Sequence, residues 1–326
     1  MAMDLSGQKI LVIGGAGFIG SHIVDALLAT SVREVVIYDN FTRGSRDNLR
    51  EALTDPRCKI YPHGGDIRDL DLLDDAMCGA DSVVHLAAMW LLHCLDFPRT
   101  AFEVNIGGTF NVLEACVRHK VHRLVYSSSA SVYGDAEEVP MDESHPFNNR
   151  NFYGATKISG EAMCRAFCER YGLSFVGLRY MNVYGPRQDQ RGAYTGAIPT
   201  FLNRIDANEP PVVHGDGSQA YDFVYVEDVA RANLLALQAK TSDRFYNIGT
   251  GLKTSIRELL TALVEVTGSS LVPRFEPYAA TDTRQLVSVR VGSTAAARRD
   301  LEFEYTTSLK EGLRSLVKWR SGASKC

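Results

Sequence analysis

Lys9-Ile10-Leu11-Val12-Ile13-Gly14-Gly15-Ala16-Gly17-Phe18-Ile19-Gly20 is the stretch that decides the fold. Its apolar run reads as a buried strand. Gly14, Gly17 and Gly20 follow at steps of three, and a helical pattern then runs through Leu28. Gly14 suits the tight turn, Gly17 a close backbone approach to a pyrophosphate, and Gly20 the packing of helix on strand. Phe18 and Ile19 fall in the first helical turn, whose free N–H groups face an anion.

Outward from this turn, residues 34–38, 58–61, 82–85 and 123–126 read as further buried parallel strands. Amphipathic stretches lie between them. In the clearest, which begins at Pro98, Phe102, Ile106, Phe110, Leu113 and Val117 share one helical face. Gly107 and Gly108 interrupt it at about 1 kcal/mol each, a cost that close backbone approach to a cofactor or another helix would offset. Repeated strand–helix units predict an α/β, doubly wound parallel (Rossmann) sheet with ligands at the carboxyl ends of its strands. From about residue 180 the pattern turns irregular around Gly185-Pro186, Pro210-Pro211 and Gly215-Asp216-Gly217, with helical stretches near 194–207, 226–239, 254–266 and 308–319. The expected division is a dinucleotide-binding domain over 1–180, a mainly substrate-binding α/β lobe over 181–320 and a frayed tail over 321–326.

The chain has 326 residues, 45% hydrophobic and 23% charged, with a formal net charge of −4. Interspersed charge argues against nucleic-acid or membrane-surface partners. Seven cysteines without a Cys-x-x-Cys pair read as reduced cytoplasmic thiols. Cys164 and Cys168 lie one helical turn apart without a nearby histidine, so no metal site is expected. Glycines cut the N-terminal apolar run after Ile13, which makes it a strand and neither a signal peptide nor a membrane span.

Asp39 closes the second strand roughly 20 residues beyond the last glycine. A carboxylate there accepts from a ribose 2′-hydroxyl and repels a 2′-phosphate, which favours NAD over NADP, although Arg43 stands nearby. Downstream comes Ser127-Ser128-Ser129-Ala130-Ser131-Val132-Tyr133-Gly134, then Tyr153-Gly154-Ala155-Thr156-Lys157 on a helix expected to stop at Gly172. Tyr153 and Lys157 share a face. Lowering a tyrosine pKa by about three units takes about 4 kcal/mol, for which Lys157 and a positive nicotinamide are the sources. Ser129 would steady the substrate oxygen.

At these residues the chain resembles the extended short-chain dehydrogenase/reductases, the NAD-dependent nucleotide-sugar epimerase/dehydratase family, over nearly its whole length. The resemblance implies NAD contacts at Asn40, at Asp66 and Ile67 within Gly64-Gly65-Asp66-Ile67-Arg68-Asp69, and at Leu86, Ala87 and Ala88 after His85. It implies others at Asn105, Ser127 and Tyr180, besides Tyr153 and Lys157. In Leu178-Arg179-Tyr180-Met181-Asn182-Val183-Tyr184-Gly185-Pro186-Arg187 it implies a nucleotide-sugar contact at Asn182, and at the substrate it also implies Trp90, Ser129, Ser131, Arg187, Val213, Tyr221 and Arg284. Asp222-Phe223-Val224-Tyr225-Val226-Glu227-Asp228-Val229 completes the pattern.

Within the family, the dehydratases carry an Asp-Glu pair just after the catalytic hydroxyl and the decarboxylases a glutamate, where this chain has Ala130 and Ser131. No acid is left there for elimination, and the run is similar to that of the UDP-glucose 4-epimerases. The resemblance therefore implies 4-epimerisation through a 4-keto sugar, with tightly bound, recycled NAD and a homodimer built on the helices beginning near Pro98 and Tyr153. A ketoreductase or dehydrogenase with exchangeable NAD(P)H, or a non-catalytic dinucleotide sensor, are the other readings. Two positions depart from the pattern. Tyr221 stands where the family has a diphosphate-binding arginine, leaving Arg187, Arg284 or Arg290 to meet that charge, and Trp90 stands where a lysine is frequent. His93 is either a sugar contact or a surface residue.

Overall fold

The computed structural model describes residues 4–189, 196–277 and 287–323. Strand and helix alternate as expected: β1 (Lys9–Ile13), α1 (Phe18–Leu28), β2 (Glu34–Tyr38), β3 (Cys58–Ile60), α2 (Leu70–Met77), β4 (Ser82–His85), α3 (Leu91–Asp96), α4 (Pro98–Ala101), α5 (Thr109–Arg118), β5 (Arg123–Ser129), α6 (Phe152–Tyr171) and β6 (Phe175–Tyr180). The chain continues through β7 (Asn182–Tyr184), α7 (Ala197–Asp206), β8 (Val212–His214), β9 (Ala220–Tyr221), β10 (Phe223–Tyr225), α8 (Val226–Gln238) and β11 (Arg244–Ile248). It ends in β12 (Thr254–Ser255), α9 (Ile256–Thr267), β13 (Arg274–Glu276), β14 (Val289–Arg290), α10 (Ala295–Leu301) and α11 (Leu309–Ala323).

Seven strands form one parallel sheet in the order β11-β6-β5-β4-β1-β2-β3. Chain order reverses between β1 and β4, so the crevice for a ligand opens at their carboxyl ends. Side chains alternate across the sheet: Ile10 and Val12 enter one apolar core, Leu11 and Ile13 the other. The sheet takes its seventh strand, β11, from beyond residue 181, so the lobes interleave along the chain. A third core, with Phe201, Leu259 and Leu313, belongs to the smaller lobe. There β7 pairs with β10, β9 lies between β12 and β14, and β8 pairs with β13. The helix α11 runs through Ala323, into the segment expected to fray.

Two expectations change. The strand expected to stop at residue 126 continues to Ser129, because Ser127, Ser128 and Ser129 pair in register with Leu178, Arg179 and Tyr180. The segment from Pro98 is not one regular amphipathic helix. Its middle, Phe102–Gly108, is a π-helical turn, and the wider turn rotates the following face. The buried residues are Ala101, Asn105, Gly108, Thr109, Val112, Leu113, Ala115 and Cys116, whereas Phe102 and Phe110 are 47% and 45% exposed. A Cβ on Gly108 would lie 2.5 Å from the side chain of Ile67, a loop residue and not the cofactor or helix expected, and Gly107 has nothing within 4 Å.

Candidate active site

The carboxyl ends of β1, β4, β5 and β6 open into a cleft of about 1920 Å³ whose far wall is the smaller lobe. Gly14, at the end of β1, has a positive φ of 86°, and a Cβ there would lie 2.8 Å from the Ala87 nitrogen. A Cβ on Gly20 would overlap the Gly14 carbonyl, so only glycine lets α1 start this close to the strand. α1 begins after Gly17 with no side-chain cap and no acid in its first turn. Its positive dipole end borders the cleft at Gly17, Phe18 and Ile19; the Gly17 N–H is taken by the Gly14 carbonyl at 3.2 Å, which leaves Phe18 and Ile19 as the first-turn donors that fit a pyrophosphate.

Asp39 receives the Ala16 N–H at 2.9 Å and the Phe41 N–H at 2.8 Å, one on each carboxylate oxygen. It both ties the glycine turn and keeps a lone pair on each oxygen for a ribose hydroxyl. Burial raises its pKa, against those two bonds. Arg43 is turned away from it: the guanidinium sits 4.6 Å from the centre of the Trp90 ring and ion-pairs with Asp189 at 3.3 Å. Asp39, Asn40 and Asp66 border a separate hollow of about 730 Å³. The Asp66 carboxylate is held by Arg68 at 2.6 Å, and Ile67 is buried beneath Gly108.

The catalytic candidates converge at the end of β5. Asn151 caps α6 by accepting the Gly154 N–H at 2.8 Å, which puts Tyr153 in the first turn, and Gly172 ends the helix at φ 71°. The Ser129 hydroxyl acts on the Tyr153 phenol and lowers its pKa, and within hydrogen-bond distance it meets the Ser131 hydroxyl at 3.2 Å. Lys157, one turn on, donates to the Ser127 carbonyl at 2.7 Å, with its Nζ 5.8 Å from the Tyr153 ring centre. Burial pushes the Tyr153 phenol up to about 12, against the influence of Ser129, and pushes the Lys157 ammonium down to about 8. Both shifts penalise charge, so a phenolate and an ammonium formed together relieve one another. Ser131, also buried, places its N–H on the Ser129 oxygen at 3.1 Å.

Of the other expected cofactor residues, Leu86, Ala88, Ser127 and Tyr180 line the cleft, and the Tyr180 and Ser127 hydroxyls share a hydrogen bond of 2.9 Å. Ala87 packs on Gly14. Asn105 is buried, and its amide clamps the main chain of Met89, receiving its N–H at 2.7 Å and donating to its carbonyl at 3.0 Å, so it supports the loop below the cleft. Of the expected substrate residues, Trp90, Asn182, Arg187, Val213 and Tyr221 line the cleft. Arg187 is ion-paired with Asp25 at 2.6 Å, and Tyr221 donates to the Val287 carbonyl at 3.0 Å. Arg284 lies outside the described residues. His93 accepts the Trp90 indole N–H at 3.0 Å.

Sequence reasoning missed the support beneath the dyad. Glu161, one turn beyond Lys157, is buried and accepts the Ser128 hydroxyl at 2.6 Å and the Arg179 fork at 2.9 and 2.7 Å. A charged Arg179 inside the apolar β6 was the available signal, since a buried arginine requires a partner. Asn233, which receives the Tyr180 hydroxyl at 3.0 Å, sits within a helix and carried no such signal.

A glycine-turn dinucleotide site joined to a Ser-Tyr-Lys constellation defines a short-chain dehydrogenase/reductase. Residues 10–249 match the NAD dependent epimerase/dehydratase family. The chain belongs to that family, and its cofactor is NAD. It is 34% identical to a UDP-glucose 4-epimerase of Mycolicibacterium smegmatis, over 96% of this chain and 98% of that protein. The UDP-glucose 4-epimerase of Thermotoga maritima, solved with UDP-glucose, superposes with a TM-score of 0.88 at 33% identity, covering 97% of this chain and 99% of that one. A UDP-N-acetylglucosamine 4-epimerase from Methanobrevibacter ruminantium, solved with UDP-N-acetylmuramic acid, gives 0.90 at 32%, covering 98% and 99%.

Proposed function

We propose that the chain is an NAD-dependent nucleotide-sugar 4-epimerase whose substrates are UDP sugars. The observation that carries this reading is the hydroxyl pair Ser129–Tyr153 beside Lys157, with no acid available for elimination. Ala130 and Ser131 follow the catalytic serine, and Glu161 is held by Arg179 and Ser128. Tyr153 takes the proton from the sugar 4-hydroxyl, Ser129 holds the same oxygen, and Lys157 favours the phenolate. Bound NAD supplies the reversible hydride acceptor at C4. The 4-keto sugar turns about its phosphate linkage, C4 regains its hydride on the opposite face, and Tyr153 gives the proton back to the 4-oxygen.

The working unit is a homodimer. Phe102 and Phe110 on the segment after Pro98, with Tyr171 at 57% exposure on α6, form an apolar face suited to a second copy. Phe110 packs edge-on against Phe167, joining the two segments into one face. A cytoplasmic setting agrees with the free cysteines at 58, 78, 94, 116, 164 and 168, and no helix among the described residues is long and apolar enough to cross a membrane.

The test is to incubate purified protein, without added cofactor, with UDP-, dTDP-, GDP- and CDP-sugars and follow C4 by NMR. A C4 epimer from a UDP sugar is the expected result. No epimer from any sugar, with NAD(P)H consumed by a 4-keto sugar, would replace this reading with a ketoreductase.

A further inference from the structure

Ser127 of β5 is in register with Leu178 of β6, so Tyr180, two residues further on, projects from the same face of the sheet as Ser127. Both line the cleft, and their hydroxyls lie 2.9 Å apart. Beneath them, α8 carries Asn233 into the core, on a helix face whose other buried members are Val229, Ala230, Ala236 and Leu237. An amide in such apolar surroundings is costly unless its bonds are met. Asn233 Nδ2 donates to the Val229 carbonyl one turn back at 2.8 Å, which leaves Oδ1 turned to Tyr180, where it accepts the phenol proton at 3.0 Å.

These bonds fix a direction. A tyrosine has one proton to give, and Tyr180 spends it on Asn233. The contact between Tyr180 and Ser127 is then made by the serine proton, and the Ser127 oxygen is left with acceptor capacity alone. Its depth says what ligand group it meets. Ser129, which holds the sugar oxygen in the proposed reaction, lies two residues further along β5, about 7 Å nearer the strand end. Lys157 is seated on the carbonyl of Ser127 itself. The deeper position therefore belongs to the cofactor, and the carboxamide amine is the N–H donor at the nicotinamide end of NAD.

We propose that the Ser127 hydroxyl accepts the carboxamide amine of NAD, and that Asn233, acting through Tyr180, is the positioning residue that makes Ser127 an acceptor. The proposal rests on the placing of the reacting sugar at Ser129 and Tyr153, and it holds for a ketoreductase as for an epimerase.

The test exchanges the cofactor of the purified holoenzyme against mixtures of NAD and acetylpyridine adenine dinucleotide, in which a methyl ketone replaces the carboxamide and no N–H remains at that end. Cofactor released by denaturation is separated and quantified, which gives the ratio of the two affinities without any turnover. Ser127→Ala removes the acceptor, and the preference for NAD should fall by about two- to tenfold, the worth of one neutral hydrogen bond. Asn233→Leu frees the Tyr180 proton for Ser127, which turns the serine proton to the cleft and should lower the preference at least as far. Asn233→Asp keeps an acceptor oxygen for Tyr180, so its melting temperature should fall while the preference stays that of wild type. A preference unmoved in Ser127→Ala overturns the carboxamide contact. Both cofactors weakened alike in Asn233→Leu, with the ratio kept, would make Asn233 structural and overturn its positioning role. If Asn233→Leu fails to fold, Tyr180→Phe breaks the same chain and carries the same expectation. A ratio that responds in a wild type and variants that epimerise no sugar costs only the proposed reaction. Epimerisation with a ratio indifferent to every variant costs only this assignment.

Discussion

The two walls of the cleft are built to different degrees. On the cofactor wall, Asp39 has a backbone N–H on each oxygen, Lys157 is seated on the Ser127 carbonyl, and Asn105 clamps Met89. On the opposite wall, Asn182 Nδ2 is buried without a partner, as is the Nε of Arg290 on the strand beside Tyr221. A wall with its bonds already made binds the same cofactor in every cycle, whereas a wall with buried donors still to be satisfied gains most from the ligand that satisfies them. A recycled cofactor and an exchanging substrate call for this asymmetry.

The most severe test separates the walls at their junction. Tyr153→Phe removes one oxygen, and burial already keeps that phenol protonated at about 12, so the glycine turn and Asp39 are untouched. Turnover should fall by about 10²- to 10⁴-fold, the worth of a positioned acid–base group. NAD content, read by absorbance after denaturation, should equal that of wild type. Retained turnover would remove Tyr153 from the mechanism, and lost NAD would mean that the junction is part of the cofactor wall.

The second test asks how far the rigidity of the cofactor wall depends on its buried charges. Glu161 and Arg179 are 2% and 1% exposed as side chains, and Glu161→Gln leaves the Arg179 cation buried without its counter-charge. The expected loss is about 3–5 kcal/mol in denaturant unfolding. Arg187→Ala breaks a pair that is 16% and 34% exposed, between the segment after β7 and Asp25 of α1, and should cost at most about 1 kcal/mol. Equal losses would erase the distinction between the walls.

The cofactor wall was legible in the sequence because its signals are local. Gly14, Gly17 and Gly20 lie within seven residues, Tyr153 and Lys157 within one turn, and the strand and helix around each carry ordinary apolar periods. The substrate wall rests on β9, β12 and β14, strands of two residues each, too short to show any alternation. The register that puts Arg290 beside Tyr221 therefore exists only in three dimensions. The segment after Pro98 was misread for another reason. A period of 3.6 was assumed through Phe102–Gly108, where the π-turn takes an extra residue and turns Phe102 and Phe110 outward. The Arg43–Trp90–Asp189 stack joins residues far apart in the chain, and each alone reads as a loop residue.

Acid provides a third, smaller test, through two of the buried histidines, His85 and His22. His85, in the sheet, has its pKa pushed down to about 3 by burial, and His22, where α1 meets the Pro186 carbonyl of the smaller lobe, down to about 4. Both are neutral in the folded chain, and the unfolded chain takes up their protons below about pH 6.5. Stability is therefore constant above 6.5 on their account and falls as pH drops toward 4, by up to about 3 kcal/mol for His22. Denaturant midpoints at pH 7.5 and 4.5 measure it. His22→Gln should narrow the difference, and an unchanged difference would clear that contact of any part in acid sensitivity.

The smallest effect expected is at an exposed contact between the walls. Arg43 reaches from the loop after β2 to Asp189, beyond β7, while its guanidinium lies on Trp90, and all three line the cleft. The pair is 38% and 24% exposed as side chains, so solvent screens it and its worth is near the bottom of the range for ion pairs. The stack on Trp90 adds about 0.5–1 kcal/mol. Arg43→Ala removes both contacts across the mouth of the cleft and should speed NAD release by about two- to tenfold, read by transfer of NAD to an excess dehydrogenase acceptor. Asp189→Asn removes the charge and keeps the stack, and should give a smaller change that high salt reproduces in wild type. An unaltered release rate in Arg43→Ala would mean that the walls part elsewhere and that this contact orders the loops without holding the cofactor.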